Sequence, residues 1–180
     1  VRLFYALWPD VRVREHLAQA AAALQLAGAA RRVPCDNFHV TLAFIGEVAA
    51  SQLPVLRRIG GAQRAPGCTI TFDACAYWPE PQVVVAVARE NPAALTELST
   101  ILHQSLRLGG AAPHSERAPP PLRAHVTLAR KVAQAPVLQA LSPIQWDVLS
   151  FSLVSSDTRG AQSVYTVVDT WPLLYEKPPP

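Results

Sequence analysis

The sequence predicts an α+β fold of two pseudo-symmetric β-α-β-α-β lobes, with mainly antiparallel sheets lining a central cleft and helices outside. Three observations lead there. The pentapeptide His39-Val40-Thr41-Leu42-Ala43 recurs letter for letter as His125-Val126-Thr127-Leu128-Ala129, 86 positions later. The flanking segments recur in the same order, and apolar residues alternate between strand-like and helix-like spacing along both halves. At ordinary residue frequencies His-x-Thr-Leu arises on the order of once in 10⁴ positions, so two copies in one chain are not an accident.

The first half, about 1–78, opens with an aromatic and aliphatic strand from Leu3 to Trp8. After Pro9-Asp10, an alanine-rich amphipathic helix is expected through about Ala30, with Val13, Leu17, Leu24 and Ala27 as its apolar stripe. The first pentapeptide follows as a strand. A shorter helix, about Ser51 to Ile59, then leads to a strand from Cys68 to Tyr77. The second half, about 79–172, repeats this series. Gln82 to Ala88 is a β-branched run, and Asn91-Pro92 starts a helix carrying Leu95, Leu98, Ile101, Leu102 and Leu106 until Gly109-Gly110 stops it. The second pentapeptide strand is followed by a short helical segment, Pro136 to Leu141, and a strand from Asp147 to Val154. A last strand, Ser163 to Trp171, precedes a tail at 176–180. Residues 109–121, with Gly-Gly and four prolines, are expected to form an exposed mobile loop, either a lid or a surface insertion.

The 180 residues, at 19.5 kDa, suit a single bilobal domain. A composition of 50% hydrophobic and 16% charged residues is globular, which excludes a disordered chain. No apolar run approaches the roughly 20 residues of a spanning helix. The stretch Arg2 to Trp8 lacks the features of a signal peptide, so a cytoplasmic location without membrane association is expected. The absence of methionine implies a native start outside this sequence. The formal charge is +3, and 14 of the 16 basic residues are arginine, whose planar fork suits phosphate. Genomic base bias accounts for such a composition equally well. Cys35, Cys68 and Cys75 are odd in number and lack CxxC spacing, so neither a disulfide framework nor a zinc site is signalled. Cys68 and Cys75 are expected as free thiols on opposite faces of one strand.

Strand alternation turns His39 and Thr41 to one face, and likewise His125 and Thr127. Across a cleft these supply two titratable imidazoles and two hydroxyl donors, a cradle for one tetrahedral phosphate. Opening a cyclic phosphodiester needs a base to deprotonate water and an acid to protonate the leaving oxygen. Two histidines with reference pKa near 6.5 provide both. Arg130 adds a charge-assisted contact only if a bulge or strand end turns it from the face that simple parity assigns it. His16, His103 and His114 have no motif around them and read as structural or solvated. Phe44, Trp78 and Tyr5 are candidates either to stack on a base or to fill the core.

These residues resemble the two-histidine phosphoesterase superfamily, specifically the bacterial RNA 2′,3′-cyclic phosphodiesterases formerly called 2′-5′ RNA ligases. The likeness rests on Arg2-Leu3-Phe4-Tyr5-Ala6-Leu7, on Val33-Pro34 with Asn37 through Gly46, on His125 through Arg130, and on Tyr165 to Leu173. It implies that His39 and His125 are catalytic, that Thr41 and Thr127 bind phosphate, and that Arg130 assists. It further implies no metal, RNA with a 2′,3′-cyclic phosphate end as substrate, and a 2′-phosphate product; no cofactor is expected, and a monomer is expected. His39 is then expected to protonate the 3′ oxygen while His125 activates water. Arg31, Arg32 and Arg123 would steer RNA or form a solvated face. Two departures stand out: Ala124 replaces a proline frequent before the second histidine, and Val83 to Val87 lacks an aromatic ring for base stacking. Competing expectations are the same chemistry on a cyclic nucleotide, an ADP-ribose cyclic phosphate or a 2′-5′ linkage, and a non-catalytic RNA-binding module. A zinc hydrolase is a third, but each motif lacks a second histidine or carboxylate at ligand spacing.

Overall fold

The computed structural model describes residues 1–111, 121–157 and 163–174. Most of the expected 109–121 loop, His114 and the 176–180 tail lie outside them. Strand β1 (Arg2–Leu7) sends Leu3, Tyr5 and Leu7 into the main core, while Phe4 and Ala6 join Val154, Trp8 and Tyr165 on its other face. Burial on both faces is what a central strand requires. Its neighbours are β3 (Val40–Glu47) and β9 (Ser150–Asp157), and β10 (Val164–Pro172) completes the order β10-β9-β1-β3. The second sheet has the order β2-β7-β6-β5, from β2 (Arg31–Arg32), β7 (His125–Arg130), β6 (Val83–Val87) and β5 (Ala74–Trp78). Here Val84 and Ala86 enter the core, while Val83, Val85 and Val87 cluster with Ala74, Ala76 and Trp78 on the opposite face. A third pair joins β4 (Cys68–Phe72) to β8 (Ile144–Val148), and all pairings between these strands are antiparallel.

The expected strand from Cys68 to Tyr77 is in fact two, broken at Asp73, whose carboxylate accepts the Arg89 N–H. The later one, expected from Asp147 to Val154, breaks at Leu149. Each break hands the last strand of one half to the sheet of the other: β5 pairs with β6, and β9 with β1. The two halves are therefore interleaved through their strands, and Cys68 and Cys75 lie in different sheets rather than on two faces of one strand.

Helix α1 (Val11–Ala23) begins where Asp10 accepts the Val13 N–H. It ends well before Ala30, and Ala27 is exposed. The cause is tertiary. The Arg32 guanidinium donates to the carbonyls of Ala21, Ala22 and Leu24, satisfying the orphan acceptors of the last turn. Helices α2 (Leu53–Gly61) and α3 (Ala93–Leu108) match the expected segments closely, although Ile101 is exposed beside the buried stripe Leu95, Leu98, Leu102 and Leu106. Residues 136–141 form no helix. Six residues barely exceed a costly nucleus, and Leu138 and Leu141 reach the core from irregular backbone.

Both pentapeptide strands carry a β-bulge at the same letter. Ala6 faces Thr41 and Tyr5 faces Ala43, so Leu42 is the extra residue; Val85 faces Thr127 and Val84 faces Ala129, so Leu128 is. The bulged carbonyls are both satisfied: Ser99 of α3 donates its hydroxyl to Leu42 at 2.7 Å, and the Val33 N–H donates to Leu128 at 2.8 Å. Each bulge resets the alternation, burying Ala43 and Ala129 and returning Phe44 and Arg130 to the exposed side. Ser99 is itself only 5% exposed. Ser99→Ala should therefore strand a buried acceptor and lower unfolding free energy by about 1–3 kcal/mol in urea denaturation. An unchanged midpoint would mean that the hydroxyl does not hold the bulge.

Candidate active site

His39 sits immediately before β3 and His125 opens β7. Their local geometry is the same. Nδ1 of His39 lies 2.7 Å from the Asn37 carbonyl, and Nδ1 of His125 lies 2.6 Å from the Arg123 carbonyl. A carbonyl only accepts, so each Nδ1 carries a proton and donates it, leaving Nε2 as the nitrogen that takes up or releases a proton. Both anchors are themselves placed. The Asn37 side chain donates to the Ser163 carbonyl, and Asn91 bridges the Leu122 carbonyl and the Ala124 N–H just before His125.

The surroundings differ. His39 is stacked on Trp8 at 5.7 Å and 9°, tilted against Phe4 at 5.0 Å, and met edge-on by Tyr165 at 5.1 Å. Among the described residues His125 meets one ring, Trp78, at 4.5 Å, and the Arg123 guanidinium lies over that ring at 5.1 Å. Burial pushes the His39 pKa down to about 4, with Arg130 and His125 adding repulsion against the Asn37 hydrogen bond. The His125 pKa is also lowered, first by burial and then by Arg123 and Arg130, against its own backbone hydrogen bond. The Arg130 charge thus acts on both imidazoles, as the bulge at Leu128 allows.

Thr41 and Thr127 are half-buried on the same strand face as the histidines, between buried Val40 and Leu42 and between buried Val126 and Leu128. Among the other expected residues, Phe44 is 42% exposed with Arg2 packed over its ring. Trp78 is half-buried, and its indole nitrogen is buried without a hydrogen-bond partner among the described residues. Tyr5 is core: it is fully buried and donates to the Leu56 carbonyl. Arg32 is committed to capping α1. His16 is exposed, and His103 lies half-buried in α3. Among the described residues, no group of three or more His, Cys, Asp or Glu side chains could hold a metal ion. A depression of about 450 Å³ between α1 and residues 140–145 contains neither His39 nor His125.

Sequence reasoning missed the ring box of Phe4, Trp8 and Tyr165, because aromatic residues in strands read as core. A usable signal was there: the alternation that buries Leu3, Tyr5 and Leu7 must turn Phe4 to the other face.

Residues 7–87 match the model of the LigT-like phosphoesterases. The chain is 32% identical over 174 residues to the Escherichia coli RNA 2′,3′-cyclic phosphodiesterase, covering 96% of both. It is 30% identical over 184 residues to the Thermus thermophilus protein of the same name, covering 98% of this chain and 92% of the other. Among solved structures, Escherichia coli LigT complexed with 3′-AMP superposes with a TM-score of 0.85 at 31% identity, covering 96% of this chain and 97% of that one. A Thermus thermophilus structure does so with 0.83 at 28% identity, covering 98% and 100%. With its fold, paired motifs and end-to-end likeness in agreement, the chain belongs to the LigT-like phosphoesterase family.

Proposed function

We propose that this protein hydrolyses RNA 2′,3′-cyclic phosphate ends to 2′-phosphates, without a metal, using His39 and His125 as acid and base. The observation that carries this reading is the matched pair of imidazoles. Each has Nδ1 held by a backbone carbonyl, each stands at the head of a bulged strand with a threonine two residues on, and Arg130 influences both. The two relatives named RNA 2′,3′-cyclic phosphodiesterase match along nearly the whole chain and support the substrate.

In the reaction, Nε2 of neutral His125 takes a proton from water as the water oxygen bonds to phosphorus. The bond from phosphorus to the 3′ oxygen breaks, and Nε2–H of protonated His39 delivers its proton to that oxygen. The 2′ ester remains, and proton exchange with solvent resets the pair. The Thr41 and Thr127 hydroxyls donate to the non-bridging oxygens, and Arg130 offsets their charge. Repulsion from Arg130 does not divide the roles, since it reaches both histidines. The assignment of His39 as the acid follows the resemblance to the two-histidine phosphoesterases: in the free protein burial among Trp8, Phe4 and Tyr165 disfavours charge on His39, so its imidazolium forms when the phosphodiester anion is bound, while Arg123 disfavours charge on His125. Trp78 and Phe44 supply the rings on which a base would stack, and Trp78 replaces the aromatic missing from Val83 to Val87.

An oligonucleotide ending in a 2′,3′-cyclic phosphate should be converted to the 2′-phosphate in excess chelator. Folded His39→Ala and His125→Ala should each lose at least about 10²-fold in turnover. Near-normal activity in either variant, inhibition by the chelator, or a 3′-phosphate product would sink the proposal.

The pH dependence follows from the lowered pKa values. The working state carries one proton on the two Nε2 atoms, so kcat/KM should peak between the two macroscopic pKa values. Since both histidines lie below the ordinary value of about 6.5, the peak should fall in the acidic range, declining above the upper pKa and again toward about 4. Bound phosphodiester anion stabilises the imidazolium, so the kcat profile should shift to higher pH. A kcat/KM maximum above pH 7, or a kcat profile shifted the other way, would contradict this balance of charges around the pair.

A further inference from the structure

Beside the histidine pair lies a depression of about 200 Å³ lined by Arg31, Asn37, Arg130, Lys131, Ser163 and Tyr165, among others. Three of its lining residues adjoin the histidine pair: Asn37 anchors His39, Tyr165 touches the His39 ring, and the Arg130 charge acts on both histidines. The described lining contains no acidic residue. Arg31 and Arg130 stand directly opposite each other in the β2–β7 ladder, a placement of like charges that destabilises a sheet unless something offsets it. Lys131 follows in the left-handed backbone region at φ 57°, unusual for a residue with a side chain. None of the three cations takes part in the ion pairs found among the described residues. Arg32 does not share their availability, since its guanidinium is committed to α1.

Resting on the phosphodiesterase reading, we infer that this depression is a second anion subsite, where Arg31 and Lys131 hold the internal phosphodiester preceding the cyclic end. The preferred substrate is then an oligonucleotide rather than a mononucleoside cyclic phosphate. A phosphate there neutralises the opposed Arg31 and Arg130, and its hold on the chain presents the terminal ring to the histidines.

The test compares a mononucleoside 2′,3′-cyclic phosphate, a dinucleotide ending in the cyclic phosphate, and the same dinucleotide with an uncharged methylphosphonate at its internal linkage. In the wild type, kcat/KM for the charged dinucleotide should exceed that for the methylphosphonate by roughly 5-fold or more. The double variant Arg31→Gln, Lys131→Gln should abolish this difference while leaving mononucleoside turnover within about 2-fold of wild type. Equal losses on all three substrates, or a methylphosphonate penalty that persists in the variant, would overturn the subsite. Calorimetric titration with the corresponding 2′-phosphorylated products repeats the comparison without turnover, and equal affinity for the charged and neutral linkages would overturn it there. If the wild type cleaves no cyclic substrate, the phosphodiesterase reading fails while the binding comparison still decides the subsite.

Discussion

Everything distinctive about the site depends on one backbone irregularity used twice: the bulge at the leucine of each His-Val-Thr-Leu-Ala segment. A regular strand would keep alternating, placing the fifth residue after each histidine on the opposite face. With Leu42 and Leu128 out of register, that residue returns to the exposed side, as Phe44 in one sheet and Arg130 in the other. A bulge also leaves backbone polar groups without ladder partners, so it persists only where they are met. The Ser99 hydroxyl and the Val33 amide do this for the two leucine carbonyls, from a helix and from the segment leading into the first motif.

The near-symmetry of the backbone contrasts with asymmetric surroundings. Equivalent strands β1 and β6 line the exposed side with Phe4 and Ala6 in one sheet and with Val83, Val85 and Val87 in the other. One imidazole consequently stands in a box of three rings, while the other has a single indole capped by an arginine. In the unliganded protein both lie in environments that disfavour charge. In the proposed mechanism, an anionic substrate would supply the missing counter-charge and so couple protonation of the pair to occupancy.

Much of this was legible in the sequence because it is written as local repetition. The duplicated pentapeptide located both histidines and both threonines, and the apolar stripe of α3 follows from its leucine spacing. Features set by distant partners were not legible. Parity alone puts Arg130 on the wrong face; that a bulge was needed could be stated from the sequence, but not that one forms, because a bulge is a property of two paired strands. The end of α1 was overrun because its cap is Arg32, beyond the helix. The breaks at Asp73 and Leu149, which interleave the halves, interrupt apolar runs that look continuous on paper. Trp8 and Tyr165 looked like ordinary strand residues until β9 and β10 joined the sheet of β1.

The central claim is that pseudo-equivalent histidines divide acid and base duty across one phosphorus atom. It is tested most directly with a cyclic substrate carrying sulfur at the 3′ bridging position, whose departure needs little protonation. The sulfur should restore turnover to His39→Ala far more than to His125→Ala, because only the first variant lacks the acid. Equal restoration of both variants would contradict a division of labour, and selective rescue of His125→Ala would reverse the proposed assignment of His39 as acid and His125 as base.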